Sequence, residues 1–374
     1  MNRYLTSFLL MMCELSTASA QSSFRLEGKV DVDSGTIVLI PAHDSLLYPK
    51  EHYYREARIR KGAFSFEGEI AYPLPMMLSL KEGDRLRFRS TWFYLDGGLQ
   101  KADWQTNNTQ ATDAHVRNAA MEEQEKYAAA FAEVQYRLHQ LMIGINGMED
   151  VPANAGTKAT LQAQHREQTE KKYAMIVQYA KEHPASYLPL WDAARMLDLG
   201  FLPFYDTLWA SLSETVKNSV PGRAFREAVD KLKLTVSGQK MPLLPVTDGS
   251  GKDTVIAGAP AGYTYTLVDF WYSSCYPCMR MFPGFKKVYE EYHPKGFELI
   301  AISIDEGSYI DNWKKVIAEK GLPWPQYLDK NKQLVQRLHI QRFPTSFLLD
   351  SEGRIVAQDL RPEALEAFLK EQLK

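Results

Sequence analysis

Two cysteines three positions apart, Cys275 and Cys278, follow six residues after a carboxylate in the stretch Asp269-Phe270-Trp271-Tyr272-Ser273-Ser274-Cys275-Tyr276-Pro277-Cys278. The chain holds one further cysteine, Cys13, among 374 residues. A bridge between Cys275 and Cys278 closes almost no loop, so its entropic contribution to stability is small. Structural zinc wants four ligands, and neither a second cysteine pair nor a close histidine pair follows; His293 and His339 stand alone, solvent-facing or structural. No metal and no cofactor is therefore expected. What remains is reversible thiol chemistry.

The pattern assigns roles. Apolar residues Thr266 to Trp271 predict a strand, and a helix is expected from about Cys275 to His293. A cysteine at a helix start faces unpaired backbone N–H groups and the positive end of the helix dipole, which favour its thiolate. Cys275 is then the attacking nucleophile. Cys278, one turn on and expected to be more buried, resolves. Pro277 suits the first turn, where a missing N–H costs little. Asp269 lies in the apolar run Leu267-Val268-Asp269-Phe270-Trp271, where burial raises a carboxyl's pKa, and it is assigned as the proton acceptor for Cys278.

Around these residues the chain divides into a leader and three regions. Arg3, the mostly apolar stretch from Tyr4 to Cys13, and Ala18-Ser19-Ala20 before Gln21 have the layout of a secretory signal peptide over 1–20. Met12 is a poor neighbour for a lipid-anchored Cys13. Residues 21–110 read as a small β-sandwich: Phe24 to Val30 and Ala63 to Gly68 alternate with period two, and Thr36 to Ile40, Leu86 to Arg89 and Trp92 to Leu95 are further strands. Residues 111–236 read as helical. Tyr127, Phe131, Val134, Leu138 and Leu141 form one apolar stripe, followed by helices over 161–182, from Trp191, over 206–217 and over 223–233. Residues 237–374 read as an α/β layered domain: a β excursion near 242–262, strand, helix, a strand over 298–305, a helix over 308–320, a hairpin over 345–359 and a helix from Pro362.

Together Asp269-Phe270-Trp271, Cys275-Tyr276-Pro277-Cys278, Phe282-Pro283, Ser303-Ile304-Asp305 and Phe343-Pro344-Thr345 resemble the thioredoxin-fold envelope thiol–disulfide oxidoreductases of the TlpA and ResA group. The resemblance covers roughly the last third of the chain. It implies a cis Pro344 opposite the disulfide and a substrate-facing surface that includes Phe343, Pro344 and Trp271, with Trp271 packing beside the pair. That group often carries a glutamate three residues after the second cysteine. Here the position is Met281, so proton transfer falls more heavily on Asp269. The whole layout resembles exported proteins of Bacteroidota with a β-rich N-terminal domain of unknown role. Phe24 to Gly28, Lys61-Gly62-Ala63-Phe64-Ser65-Phe66 and Phe93-Tyr94-Leu95-Asp96 carry that looser match.

The expected activity is reduction of protein disulfides in the periplasm or cell envelope, with a membrane thiol-transfer protein as electron donor. Tyr276-Pro277 lacks the histidine found before the second cysteine in isomerases and strong oxidants. An envelope isomerase or oxidant, and a partner-binding module with a secondary redox pair, remain the alternatives. Peroxidase chemistry would need a Pro-x-x-x-Thr-x-x-Cys setting, and a copper chaperone Cys-x-x-x-Cys; neither is present. A net charge of −2, with 45% hydrophobic and 24% charged residues, gives no basic field for nucleic acid and leaves the oligomeric state open.

Overall fold

The computed structural model describes residues 22–42, 53–106, 112–149 and 151–373. The expected leader over 1–20, with Cys13, lies outside the described residues. Among those described, no helix is long and apolar enough to cross a membrane. The chain forms two compact units. One runs to Leu188 and takes in Leu212–Gly222; the other comprises Pro189–Ser211 and the chain from Arg223 on.

The first unit opens on strands β1 (Ser22–Val30), β2 (Ser34–Pro41), β3 (Arg55–Arg60), β4 (Ala63–Ile70), β5 (Leu74–Glu82), β6 (Arg85–Arg89), β7 (Phe93–Leu95) and β8 (Gly98–Trp104). They join into one eight-stranded sheet, ordered β6-β5-β2-β3-β4-β1-β8 with β7 on β5. β3 and β4 share only the pair Arg60–Ala63, beside the turn that joins them. Alternation places Phe24, Leu26 and Val30 inside, with Phe64 and Phe66 from the neighbouring strand. β3, β5 and β8 were not read from the sequence. β5 is Leu-Pro-Met-Met-Leu-Ser-Leu-Lys-Glu, buried along most of its length and so without a period-two signal.

Helices α1 (Ala119–Asn146) and α2 (Ala155–Glu182) follow. The α1 start is fixed by Asn118, whose Oδ1 accepts from the Met121 N–H at 2.7 Å while its Nδ2 donates to the Tyr94 carbonyl at 2.7 Å. Of the predicted stripe, Tyr127, Phe131 and Val134 are buried, and Leu138 and Leu141 half-buried. Tyr127 stacks on Phe131 at 4.4 Å and meets Tyr179 of α2 edge-on at 4.8 Å. The helical region continues as α3 (Leu188–Ala194), α4 (Phe204–Ser211), α5 (Glu214–Asn218) and α6 (Val220–Leu232). The single helix expected over 206–217 is thus two. Ser213 breaks it by capping α5, its Oγ accepting from the Val216 N–H at 3.4 Å.

The C-terminal part of the second unit is a seven-stranded mixed sheet: β9 (Leu244–Asp248), β10 (Asp253–Ile256), β11 (Tyr265–Trp271), β12 (Phe297–Ser303), β13 (Gln326–Leu328), β14 (Thr345–Asp350) and β15 (Ile355–Gln358). The order is β10-β9-β13-β12-β11-β14-β15. Central β11 runs parallel to β12 and antiparallel to β14. This is a thioredoxin fold. Its helices are α7 (Tyr276–Tyr292), α8 (Tyr309–Lys320), the short α9 (Gln333–Arg337) and α10 (Pro362–Gln372). Strand alternation splits β11 between two cores. Val268 and Phe270 pack with β9 and β14 residues, whereas Leu267 and Trp271 pack with Cys275, Cys278 and Phe282 at the start of α7.

α7 is seated against α10 through Gly284. A Cβ there would lie 2.6 Å from Pro362 Cβ, closer than packed atoms come. Alanine in mid-helix normally gains about 1 kcal/mol over glycine. Here the overlap outweighs it, and Gly284→Ala is expected to destabilise the protein by about 1–3 kcal/mol. The measurement is the urea unfolding midpoint of the full chain; a raised midpoint would contradict this packing.

Candidate active site

β11 delivers the chain to the site at Trp271, and α7 begins at Tyr276, so Cys275 occupies the N-cap of α7. Its Sγ accepts from the Cys278 N–H at 3.2 Å, the place an N-cap oxygen usually takes. No acid stands in the first turn of α7, so the helix N-terminus acts on Cys275 unopposed. Cys275 and Cys278 are joined in a disulfide with Cα atoms 5.3 Å apart. The expected difference in burial between them is absent from this oxidised form, since each is 1% exposed. What distinguishes them is position: Cys275 caps the helix, and Cys278 lies inside its first turn.

The loop from Trp271 to Cys275 is pinned by a second acid. Asp305, just past β12, takes the Ser273 N–H at 2.7 Å, the Ser273 hydroxyl at 2.9 Å and the Ser303 hydroxyl at 2.6 Å. Asn312 of α8 donates to Ser273 Oγ at 2.8 Å. The Cys275 N–H then closes a turn on the Tyr272 carbonyl at 2.9 Å. Ser303-Ile304-Asp305 stood out in the sequence, but its task did not. A loop serine thirty-two residues away gives no sequence signal of its partner.

Asp269 is the opposite case. It is 2% exposed, and its Oδ1 has no hydrogen-bond partner among the described residues. It shares a face of β11 with Leu267 and Trp271, the face that packs against the cysteine pair. Its cross-strand neighbours are Ala301 on β12 and Ser346 on β14, neither of which carries charge. Burial, reinforced by the negative charge of Asp359, pushes its pKa up to about 8. An ordinary thiol titrates near 8.5, so a proton can pass between such an acid and a thiol at little cost.

The remaining predicted residues fall around this centre. The Phe343–Pro344 bond is cis. The Phe343 ring meets Tyr272 edge-on at 5.4 Å, which sets the proline loop against the loop before Cys275. Trp271 has no exposed surface and lies edge-on to Phe282 at 5.1 Å. Its place is beneath the pair and not on a surface a substrate could touch. Tyr276 is 67% exposed, with the Arg280 guanidinium 6.0 Å from its ring. His293 lies against Tyr263 and Tyr289, and buried His339 has its pKa lowered to about 4 by desolvation. Among the described residues no group of three or more His, Cys, Asp or Glu could hold a metal ion.

Residues 237–358 match the AhpC/TSA family. Over 144 residues the chain is 31% identical to the thiol-disulfide oxidoreductase ResA of Bacillus thuringiensis (strain Al Hakam), covering 38% of this chain and 80% of that protein. The ResA of Bacillus subtilis (strain 168) is 25% identical over 150 residues, covering 40% and 76%. Among solved structures, the thioredoxin domain of a thiol-disulfide oxidoreductase from Bacteroides vulgatus is 30% identical, covering 37% of this chain and 99% of that one, with a TM-score of 0.34.

The Asp269 environment has a stability signature. Its folded-state pKa lies above the unfolded value of about 3.9. As pH rises past about 4 the unfolded chain therefore releases this proton first, and the fold loses stability until the native group ionises near 8. Asp269→Asn removes that term. Its stability advantage over the parent should grow from near zero at about pH 4 to on the order of 5 kcal/mol at about pH 8. Urea unfolding across that range checks it; a constant difference would contradict the buried proton.

Proposed function

We propose that this chain, which belongs to the family of ResA thiol–disulfide oxidoreductases, reduces protein disulfides in the periplasm. The observation that carries the reading is the Cys275–Cys278 disulfide at the start of α7. A bridge across three residues contributes little to stability, so its worth lies in being made and broken. Tyr276-Pro277, without a histidine, favours the reducing direction.

In that direction the Cys275 thiolate attacks one sulfur of the substrate disulfide. The substrate S–S bond breaks, a mixed disulfide forms on Cys275, and the other substrate sulfur leaves as a thiolate. The Cys278 thiol gives its proton to the Asp269 carboxylate. The resulting thiolate attacks Cys275 Sγ, breaks the mixed disulfide and releases the second substrate sulfur. The protein is left with the Cys275–Cys278 bond, having passed two electrons to the substrate. The docking surface in this reading is the cis-proline loop, where Phe343 and Pro344 present backbone to an incoming strand.

The same reading assigns 1–20 to an export signal and the oxidoreductase to 237–374, with 21–110 and 111–236 as β-rich and helical regions preceding it. Protein disulfides are the substrates, and a membrane thiol-transfer protein re-reduces the pair.

Insulin reduction by the purified protein, with a dithiol as electron source, tests the assignment. Cys275→Ser should abolish turnover, and Cys278→Ser should trap a mixed disulfide visible on a non-reducing gel. Asp269→Asn should slow turnover about 10²-fold while leaving the fold intact, the low end of general acid–base catalysis. Turnover of Asp269→Asn equal to the parent across roughly pH 6 to 9, the window of perturbed thiols and acids, would contradict the proton-acceptor role.

A further inference from the structure

β14 separates the buried acid from a second carboxylate. Ser346 is the cross-strand neighbour of Asp269, and on its other side it faces Asp359, the residue after β15. The Ser346 N–H donates to Asp359 Oδ1 at 3.1 Å, and the Asp359 N–H donates to the Ser346 carbonyl at 2.9 Å. Asp269, Ser346 and Asp359 therefore stand in one row across the sheet, with a small, buried side chain between the two acids. Asp359 is held there with φ of 51°, a left-handed conformation that L residues seldom adopt and that aspartate tolerates better than most.

The far side of Asp359 is also engaged. The Arg342 guanidinium donates to Asp359 Oδ2 at 3.0 Å. Arg342 directly precedes the cis Phe343–Pro344 bond, and its carbonyl accepts the Thr345 hydroxyl at 2.8 Å, so it is part of the proline loop. Both members of the pair are partly open to solvent, with side chains 52% and 37% exposed. An incoming peptide strand can thus reach the arginine, although it cannot reach Asp269.

We propose that Asp359, clamped between Ser346 and Arg342, is a positioning residue for the thiol chemistry: its charge sets how tightly Asp269 holds a proton, and Arg342 links that charge to the proline loop. The proposal rests on the reading of Asp269 as proton acceptor. A negative charge across the row favours the protonated form of Asp269, and a cation on Asp359 weakens that influence. The other neighbours of Asp269 do not compete. β12 offers Ala301, β14 offers Ser346, its own strand offers Leu267 and Trp271, and α7 offers Cys278, the group with which Asp269 exchanges the proton. A substrate that draws Arg342 away strengthens Asp269 as an acceptor when the mixed disulfide needs resolving.

The account predicts opposite effects from the two halves of the pair. In the full-length protein, infrared titration follows the protonated carboxyl band that is missing from Asp269→Asn. Asp359→Asn should lower the midpoint of that band and Arg342→Ala should raise it, each by roughly half a pH unit because partial exposure screens both charges. The double variant should follow Asp359→Asn. A purely structural role for the pair would move both midpoints the same way or not at all, and either result overturns the proposal. Arg342→Ala, at an exposed site, keeps the test open if Asp359→Asn does not fold. Turnover measured on the same proteins separates the two readings. Slow Asp269→Asn with unmoved midpoints removes the Asp359 assignment alone. Fully active Asp269→Asn with midpoints moved in opposite directions removes the acceptor role and leaves Asp359 in control of the proton.

Discussion

The Asp269 carboxyl group is enclosed by protein on a central strand and has an oxygen that meets no hydrogen-bond donor among the described residues. Burying a carboxylate without compensation is among the costlier arrangements a fold can hold, so the group keeps its proton well above the usual range. The surroundings conserve that state. Ala301 and Ser346 bring no charge from the flanking strands, and Leu267 and Trp271 extend the apolar wall on the same face toward the cysteines. A carboxyl pKa raised toward that of a thiol follows from the absence of donors among the described residues, not from the presence of a base.

Other buried acids of the same domain show that this is local and not a habit of the sequence. Glu298 accepts from the Tyr289 hydroxyl at 3.0 Å and from the Leu299 N–H at 2.8 Å. Asp305 takes the Ser273 and Ser303 groups that pin the loop before Cys275. Asp329 takes the Leu334 and Val335 N–H groups, each at 2.9 Å, at the start of α9. These three carboxylates are satisfied and build structure. Asp269 is left unsatisfied beside the redox pair, which is where a departure from local consistency signals function.

Much of this was legible in the residue order. The apolar strand to Trp271, the helix start at Cys275 and the hairpin over 345–359 carry strong local signals, and the structure places them within a residue or two of expectation. The alternating strands from Phe24 and Ala63 were equally clear. β5 escaped because it is apolar in succession, and the break at Ser213 escaped because a capping serine competes with an otherwise continuous helix pattern. The cysteines and Asp269 declare themselves by type and spacing. Asp305 stands out in its motif without declaring its task, and Arg342 and Asp359 do not stand out at all. Their meaning depends on which strands lie side by side, and ordinary surface-like acids and arginines give no local hint of that. Trp271, expected on the substrate side, is drawn under the pair because strand alternation sends it into the core with Phe282.

The central claim is that the Cys275–Cys278 pair works as an electron donor to protein disulfides. Its most direct test is the equilibrium reduction potential of the pair in the purified protein, titrated against glutathione and dithiothreitol. The account predicts a value at the thioredoxin end, about −250 mV or lower. A value of about −120 to −180 mV would make the protein an oxidant or isomerase and would contradict the direction assigned to it.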